Sequence, residues 1–345
     1  MADVRVLIVD DSPLVRDMLA DILMSDSGIS VVGMAKNGLE AISLTQSLKP
    51  DVVAMDITMP VMDGLEAIEK IMSTTPVPIL VISDLDHSKI AFSALSKGAL
   101  EVYQKASASE AMAKELIAKV KLLAKVKVIR HISPNNGRGS GRSVKLPEPP
   151  KASSQSFQVV AIASSTGGPR ALAQIFSSLN EAFPVPIVVA QHMNDGFVQG
   201  LVDWLNGVSP IKVKFAADGE LLRAGCAYFA PAGTHITVNA KGRVILQARA
   251  ADDLFHPSCN QLLVSVGKAF GAYGVGIILT GMGDDGVEGI RCIREQGGYT
   301  IAQDEASSVV YGMPRVAIEQ GVVDWVSPIG EIAGLLKQRI RPKPI

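Results

Sequence analysis

The sequence is poor in cysteine, in net charge and in long apolar runs. Its three cysteines, Cys226, Cys259 and Cys292, form no CxxC pair, which argues against a disulfide framework and a structural zinc site. A net charge of −1 gives no basic surface for nucleic acid or membrane head groups. No apolar run approaches the ~20 residues of a membrane span. The start leads directly into VRVLIVDD rather than a basic and apolar leader, so we expect a cytoplasmic protein without membrane insertion.

The length and hydrophobic content of the chain predict two globular domains. With 345 residues and 48% hydrophobic residues, the chain can build two cores of ordinary size. Residues 131–156 are rich in Ser, Gly and Pro and contain almost no large apolar residue, which is typical of a flexible linker. We therefore predict domains at residues 1–130 and 157–345, joined by this linker.

Both domains are predicted to be α/β. In the first, short apolar runs alternate with helical patterns, which indicates a parallel sheet of five strands. Those runs are VRVLIV, VVGMA, DVVAMD, VPILVIS and LEVYQK. The first helix is expected to have Ser12 as N-cap and Pro13 as its first residue. Its predicted apolar face consists of Leu14, Val15, Met18, Leu19, Ile22 and Leu23.

The second domain repeats this pattern and is expected to form a doubly wound, Rossmann-like sheet with an irregular patch over 216–246. The strand candidates are FQVVAIA, VPIVVA, AYFAP, ITV, VGIILTG and YTIAQD. The helices are predicted to start near Pro169, Gly196, Asn260, Gly286 and Pro314.

Polar side chains end several strands of the first domain. Asp10 and Asp11 end the first strand and Asp56 ends the third, so these carboxylates should converge at one edge and suit Mg²⁺. Ser83 ends the fourth strand and Lys105 the fifth, which adds a hydroxyl group and a cation there. Strand-end acids that are merely solvated are the alternative, but the combination indicates phosphoryl transfer to an aspartate.

These residues lie in segments that resemble the receiver domain of bacterial response regulators, a flavodoxin-like fold, over residues 3–125. The matching segments are VDDS, MDITMPVMDG, VIS and YQK. The resemblance implies that Asp56 accepts the phosphoryl group from a CheA-type histidine kinase, and that Asp10 and Asp11 hold Mg²⁺ with it. It also implies that Ser83 and Lys105 contact the phosphoryl group and that Tyr103 is the aromatic switch. Ala106 departs from the family, which usually has proline after the lysine.

The stretch AIASSTGGPR has the form of a strand–turn–helix elbow. Glycines let the backbone approach closely, and the N–H groups at a helix start suit a bound anion or an oxyanion. The motifs GKS or GKT, GxGxxG and GxSxG are all missing, so a phosphate loop and an esterase elbow remain alternatives. A serine nucleophile, Ser164 or Ser165, needs a base and a group that orients it.

His192 is the histidine best placed to be that base, because it directly follows the strand VPIVVAQ. Asp284 and Asp285 follow the strand VGIILTG, so the three groups are expected to meet at one sheet edge. His87 and His131 lie in the first domain and the linker. His235 and His256 lie in or near the irregular region.

Residues 157–335 resemble the catalytic domain of the chemotaxis protein-glutamate methylesterases, the CheB family. The matching segments are AIASSTGGP, QHM, LTGMGDDG and AQDEASSVVYGMP. The resemblance implies Ser165 as nucleophile, His192 as base, Asp285 as its orienting acid, and oxyanion donors at the backbone N–H groups of Thr166 and Met282. It further implies hydrolysis of glutamate methyl esters in chemotaxis receptors, deamidation of glutamine, no cofactor for hydrolysis, and activation by receiver phosphorylation.

The chain departs from this family at several points. Ser164 stands beside the nucleophile, and Asn194 and Asp195 replace two prolines after QHM. The segment FHPSCNQL resembles the family's HRPSVD, and substrate contacts are expected there near His256 and Ser258.

These departures leave a non-catalytic module that binds phosphate or a protein partner as the alternative function. A DNA-binding response regulator is disfavoured because no basic recognition helix follows the linker. Three scattered methionines, Met193, Met282 and Met313, raise the alternative of a soft metal site. Core packing is the more common role of such methionines and is the interpretation we favour.

Overall fold

A computed structural model describes residues 3–84, 88–105, 110–126, 128, 159–250, 253 and 255–340. The chain divides into two compact units, Met1–Ser140 and Gly141–Ile345. The predicted linker 131–156, and with it His131, lies outside the described residues, as do His87 and Ala106.

The first unit is a five-stranded parallel sheet between helices. Its strands are β1 Val4–Val9, β2 Ile29–Ala35, β3 Val52–Met55, β4 Ile79–Ser83 and β5 Glu101–Gln104. Its helices are α1 Pro13–Met24, α2 Gly38–Leu48, α3 Gly64–Thr74, α4 Ser88–Lys97 and α5 Glu110–Leu123. The strand order β2-β1-β3-β4-β5, with parallel pairing throughout, is the flavodoxin-like order and confirms the predicted fold.

The first helix differs from its prediction in one respect. It begins at Pro13 with Ser12 as N-cap, but its buried residues are Leu19, Ala20 and Leu23. Leu14 is 77% exposed, so its assignment to the apolar face was wrong. The periodicity gave the correct face, but contact with the core starts one turn later because the first turn lies beside the polar ends of the strands.

The second unit is a seven-stranded parallel sheet with the order β14-β13-β12-β6-β7-β9-β8. Its strands are β6 Val159–Ser164, β7 Ile187–Gln191, β8 Lys212–Phe215, β9 Cys226–Phe229, β12 Gly274–Ile278, β13 Tyr299–Gln303 and β14 Trp325–Ser327. The antiparallel hairpin of β10 Thr234–Val238 and β11 Val244–Ala248 lies outside this sheet. The chain winds outward from β6 in both directions, which confirms the doubly wound prediction.

Among the described residues, six α-helices accompany this sheet, and five of them start within one residue of their predicted positions. They are α6 Gly168–Ser177, α7 Asp195–Val208, α8 Cys259–Phe270, α9 Val287–Glu295, α10 Met313–Glu319 and α11 Ile329–Arg339. The sequence did not predict β8, β11, β14 or α11. The strands β8 and β14 are short edge strands, and such strands lack the continuous apolar run of a strand buried on both faces.

The position of β6 determines where chemistry can occur. Every residue of this strand is buried, because β12 and β7 flank it on either side. In such sheets the crevice at the carboxyl ends of the central strands is the usual binding site. Among the described residues, no helix is long and apolar enough to cross a membrane.

Candidate active site

The carboxyl ends of β6, β7 and β12 bring the three predicted catalytic residues to one edge of the sheet. Ser164 pairs in register with Gln191, so the next residues, Ser165 and His192, leave neighbouring strands together. The backbone N–H of His192 donates to the carbonyl of Ser164 at 2.9 Å. The N–H of Ser165 donates at 3.0 Å to the carbonyl of Thr280, just beyond β12.

His192 and Asp285 form a buried pair. Nε2 of His192 lies 2.8 Å from Oδ2 of Asp285, whose side chain is 2% exposed. The N–H groups of Cys259 and Asn260, at the start of α8, donate to the same carboxylate at 2.7 and 2.9 Å. The carboxylate of Asp285 therefore also accepts hydrogen bonds from N–H groups that the first turn of α8 leaves unpaired.

The surroundings of Asp285 keep it ionised. Burial opposes charge on this carboxyl group, but the hydrogen bond and charge of His192 and the N–H groups of Asn260 and Cys259 outweigh it. The pKa of Asp285 consequently lies below its ordinary value. An ionised acceptor at Nε2 assigns the proton to that nitrogen, and Nδ1 becomes the basic nitrogen of the ring.

The two adjacent serines have different environments. The hydroxyl of Ser164 is fully buried and donates to Oε1 of Gln191 at 2.7 Å. Nε2 of Gln191 donates in turn to the carbonyls of Ser165 and His192, each at 2.9 Å. Ser165 is only partly buried, and its hydroxyl makes no hydrogen bond within the described part of the chain. Geometry thus favours Ser165 over Ser164 as the reactive serine, a choice that the residue types alone leave open.

Two backbone groups near Ser165 have the character of oxyanion donors. The N–H groups of Thr166 and Met282 have no acceptor among the residues that the structure describes. Gly281, beside Met282, must lack a side chain, because a Cβ atom there would lie 2.7 Å from Cβ of Ser165. Unpaired donors near a serine suit a negative charge that develops on the substrate oxygen.

The three methionines of the soft-metal alternative do not share one environment. Met313 is fully buried in the core, whereas the side chain of Met282 is 55% exposed. Met193 is partly buried. This distribution agrees with the core-packing alternative for Met313.

The sequence did not identify two further neighbours of His192. Sγ of Cys259 lies 3.3 Å from Nε2 of His192 and 3.4 Å from the carbonyl of Ala190. The ring of Phe255 stacks on that of His192, with centroids 5.1 Å apart and an interplanar angle of 12°. Both belong to the segment FHPSCNQL, whose departures from the family motif were the available signal.

A second histidine–aspartate pair supports this segment. Nε2 of the buried His235 lies 2.8 Å from Oδ2 of Asp253, and its Nδ1 accepts from the N–H of Ser258 at 2.9 Å. The hydroxyl of Ser258 reaches Oδ1 of Asp285 at 3.3 Å. The pair therefore links the hairpin to the acid of the candidate site through Ser258, and the predicted substrate contact near Ser258 stays a prediction.

The residues that replace two prolines also contact this region. Asn194 is the N-cap of α7, which begins at Asp195. The carboxylate of Asp195 lies 3.4 Å from Nη1 of Arg249, which follows β11. Nδ1 of His256, in the nearby segment, is buried without a hydrogen-bond partner among the described residues.

The predicted acidic site of the first unit also assembles. Oxygen atoms of Asp10, Asp11 and Asp56 lie within 4.8 Å of one another, as a shared cation requires. Nζ of Lys105 lies 3.0 Å from Oδ2 of Asp10 and 2.8 Å from Oδ2 of Asp56. Oδ2 of Asp10 is buried without a well-aligned hydrogen bond from the described residues, which suits an oxygen atom that binds a metal ion.

Burial has the largest effect on Asp56 and raises its pKa above the ordinary value, although the hydrogen bond and charge of Lys105 oppose it. The charge of Asp10 raises it further. Charge on Asp56 is therefore costly without a cation, and Lys105 supplies part of the compensation.

The remaining predicted residues of the first unit lie on the neighbouring strands β4 and β5. Ser83 is buried at the end of β4, and its hydroxyl donates to the carbonyl of Asp84 at 3.4 Å. Tyr103 is buried, and its hydroxyl donates to the carbonyl of Met112 at 3.0 Å. Burial raises the pKa of Tyr103, so its hydroxyl remains a hydrogen-bond donor.

Comparison with known proteins identifies both units. The family model described as CheB methylesterase matches residues 160–336, and that of the response regulator receiver domain matches residues 6–117. Receiver domains in general bind Mg²⁺ for phosphorylation.

Two curated relatives align with this chain over nearly its full length. The protein-glutamate methylesterase/protein-glutamine glutaminase 3 of Paramagnetospirillum magneticum is 42% identical over 96% of this chain and 95% of its own length. A protein of the same name, numbered 1, from Syntrophus aciditrophicus is 41% identical over 96% of this chain and 97% of its own length.

A solved structure agrees with the fold of the second unit. The crystal structure of the Thermotoga maritima CheB methylesterase catalytic domain is 38% identical and covers 53% of this chain and 98% of its own, with a TM-score of 0.51. The residues near Ser165, His192 and Asp285 thus lie in a fold that this family shares. With two matching domain models and full-length relatives, the chain belongs to the CheB methylesterase family of response regulators.

Proposed function

We propose that this protein is a phosphorylation-regulated serine hydrolase that removes methyl esters from glutamate residues of chemotaxis receptors and deamidates receptor glutamines. The names of its relatives give the substrate class. The observation that carries the proposal is the buried His192–Asp285 pair at the strand end next to Ser165. A base with a fixed tautomer beside an unpaired hydroxyl is the arrangement that a serine hydrolase needs.

In the first step Ser165 forms the acyl-enzyme. Its Oγ bonds to the ester carbonyl carbon while Nδ1 of His192 takes the hydroxyl proton. Asp285 stabilises the imidazolium, and the N–H groups of Thr166 and Met282 stabilise the oxyanion. The bond to the methoxy oxygen then breaks, and His192 returns the proton so that methanol leaves.

In the second step water releases the product. His192 takes a proton from water, whose oxygen bonds to the acyl carbon, and Ser165 leaves and recovers its proton. The net reaction converts a glutamate methyl ester and water into glutamate and methanol. With glutamine the acyl group is the same and ammonia is the leaving group. Neither reaction needs a cofactor.

In the receiver domain, Asp56 is the proposed phosphoryl acceptor and a CheA-type histidine kinase the donor. Asp10, Asp11 and Asp56 would hold Mg²⁺, which neutralises charge on the phosphoryl oxygens when it is bound. Lys105 and Ser83 are the proposed contacts of the phosphoryl group, and Tyr103 is the proposed aromatic switch. Both partners, kinase and receptor, are proposed to meet this protein in the cytoplasm.

The test is mass spectrometry of methylated chemoreceptor after incubation with wild type, Ser165→Ala and Ser164→Ala. We expect the methyl group to be lost with wild type and Ser164→Ala, and retained with Ser165→Ala. A serine-reactive fluorophosphonate should label the same two active proteins. Methyl loss with Ser165→Ala, or none with wild type, would overturn the proposed function.

A further inference from the structure

Three atoms that can act as metal ligands converge within the candidate active site. Sγ of Cys259, Nε2 of His192 and a carboxylate oxygen of Asp285 lie within 4.8 Å of one another. Nε2 is 3.3 Å from the sulfur and 2.8 Å from Oδ2. Thiolate, imidazole and carboxylate are the donors that zinc takes in proteins, whereas Mg²⁺ prefers oxygen alone.

We propose that Cys259, His192 and Asp285 form a zinc-type metal site, and that a bound ion holds the active site in an inactive state. The metal takes the place of the proton that Nε2 shares with Asp285. Bond lengths of about 2.0–2.3 Å place tetrahedral ligand atoms roughly 3.3–3.8 Å apart. The His192–Cys259 separation already has this value. The His192–Asp285 separation must increase by about 0.5 Å to reach it.

The three ligands are held in place without the metal. Asp285 is fixed by the N–H groups of Cys259 and Asn260, so the carboxylate and the sulfur share one helix start. The imidazole of His192 is held by the stacked ring of Phe255. Ser258, whose hydroxyl already contacts Asp285, or a water molecule can supply the fourth ligand. Three protein ligands with one open position are typical of zinc sites at reactive centres.

Cys259 is the residue that makes this a set of three ligands rather than a hydrogen-bonded pair. Without its thiolate, only a histidine and an acid remain. Cys226 and Cys292 lie elsewhere in the unit and serve as controls.

Metal binding and the inhibition of hydrolysis both follow from the replacement of two protons by the metal. The metal forms bonds to sulfur, nitrogen and oxygen, and the thiol proton and the Nε2 proton pass to solvent. His192 then no longer donates to Asp285, so the histidine–aspartate pair that hydrolysis requires is broken. The ring cannot act as a base for Ser165. The metal binding stands by itself, whereas the loss of hydrolysis rests on the proposed function.

The first test measures cobalt binding to the full-length protein with Mg²⁺ in excess to fill the receiver site. We expect wild type, Cys226→Ser and Cys292→Ser to show a near-ultraviolet thiolate-to-cobalt charge-transfer band. Cys259→Val should lose the band and bind cobalt more weakly by roughly tenfold or more. Cys259→Ser, which keeps the size of the side chain, guards against a folding defect in the valine variant. Absence of the band in wild type, or its persistence in both Cys259 variants, would overturn the metal site.

The second test measures zinc inhibition of ester hydrolysis, with each variant compared with its own metal-free rate. Wild type should be inhibited at zinc concentrations roughly tenfold or more below those that inhibit Cys259→Val. Equal sensitivity of the two proteins would contradict the inhibitory role. A wild type that shows the cobalt band but no hydrolysis would contradict the proposed function and leave the metal site standing.

Discussion

Ser164 and Ser165 are neighbours in the sequence, but only one of them has a hydroxyl available for reaction. We expect Ser165→Ala to abolish hydrolysis. Ser164→Ala should keep most of it, because the hydroxyl of Ser164 is used to hold Gln191. Loss of that buried hydrogen bond should lower the free energy of unfolding by about 1–3 kcal/mol. Initial rates of methanol release and thermal unfolding measure the two effects. If Ser164→Ala were as inactive as Ser165→Ala with its stability intact, the assignment of the two serines would be wrong.

Asp285 makes a pH-dependent contribution to stability. Its pKa in the folded protein lies below the ordinary value, so the charged carboxylate stabilises the fold above about pH 4. This contribution is lost as the pH falls through the lowered pKa. Wild type should therefore unfold at a higher temperature than Asp285→Asn at neutral pH, and the difference should shrink in acid. Calorimetry from neutral to acidic pH measures this, and a difference that grows in acid would contradict the direction of the shift.

Much of the residue-level site was predictable from the sequence. Parallel strands end at one edge, and this rule alone is enough to expect His192 beside Asp285 and Asp10 beside Asp56. The choice between Ser164 and Ser165 depends on burial and on the side chain of Gln191, which no periodicity encodes. Phe255 and Cys259 approach His192 from an irregular segment, and such a segment gives no rule for where a side chain points.

At the scale of elements, the hairpin of β10 and β11 acts as a support for the active site. His235 on β10 holds Asp253 and the N–H of Ser258, and Ser258 contacts Asp285. We expect His235→Gln and Asp253→Asn each to lower kcat/KM by about 10-fold to 100-fold, since small displacements of catalytic groups have effects of this size.

The double variant provides the control for this pair. Because both changes affect the same His235–Asp253 hydrogen bond, the loss in the double variant should equal that of His235→Gln rather than the product of the two single losses. Steady-state kinetics with circular dichroism, which checks the fold, make this measurement. Additive losses in the double variant would show that the two residues act separately.

Elements at the centre of each sheet were predicted well and those at its periphery were not. Buried strands such as β6 and β12 show continuous apolar runs, and helix starts are fixed by glycine and proline next to them. The strand β8 reads KVKF and β14 has three residues, so neither has a pattern that distinguishes it from a loop. Leu14 shows the same limit within a helix, since periodicity gives the direction of a face but not where its burial begins.

At the scale of the whole molecule, the order receiver, linker, catalytic domain indicates control of hydrolysis by phosphorylation. We expect a phosphodonor such as acetyl phosphate to increase the hydrolysis rate of the full-length protein. Residues 152–345 alone should be active without it.

Asp56→Asn is the matched control, and its rate should not respond to the phosphodonor. Receptor methyl hydrolysis is measured for all three proteins. Equal rates with and without phosphodonor, in the full chain and in residues 152–345, would exclude inhibition by the receiver domain.

The side chain of Gln191 limits the ways in which the receiver domain can control hydrolysis. Its amide bridges the backbone carbonyls of Ser165 and His192, and its oxygen is held by Ser164. The proposed nucleophile and the proposed base are therefore linked through one buried amide, and a displacement of either strand end should carry the other with it. A regulator that pushes on this edge would translate the pair without changing its spacing. We therefore expect switching to work by admitting or excluding the receptor segment. Phosphorylation should then change KM for the receptor and have little effect on the hydrolysis of a small ester.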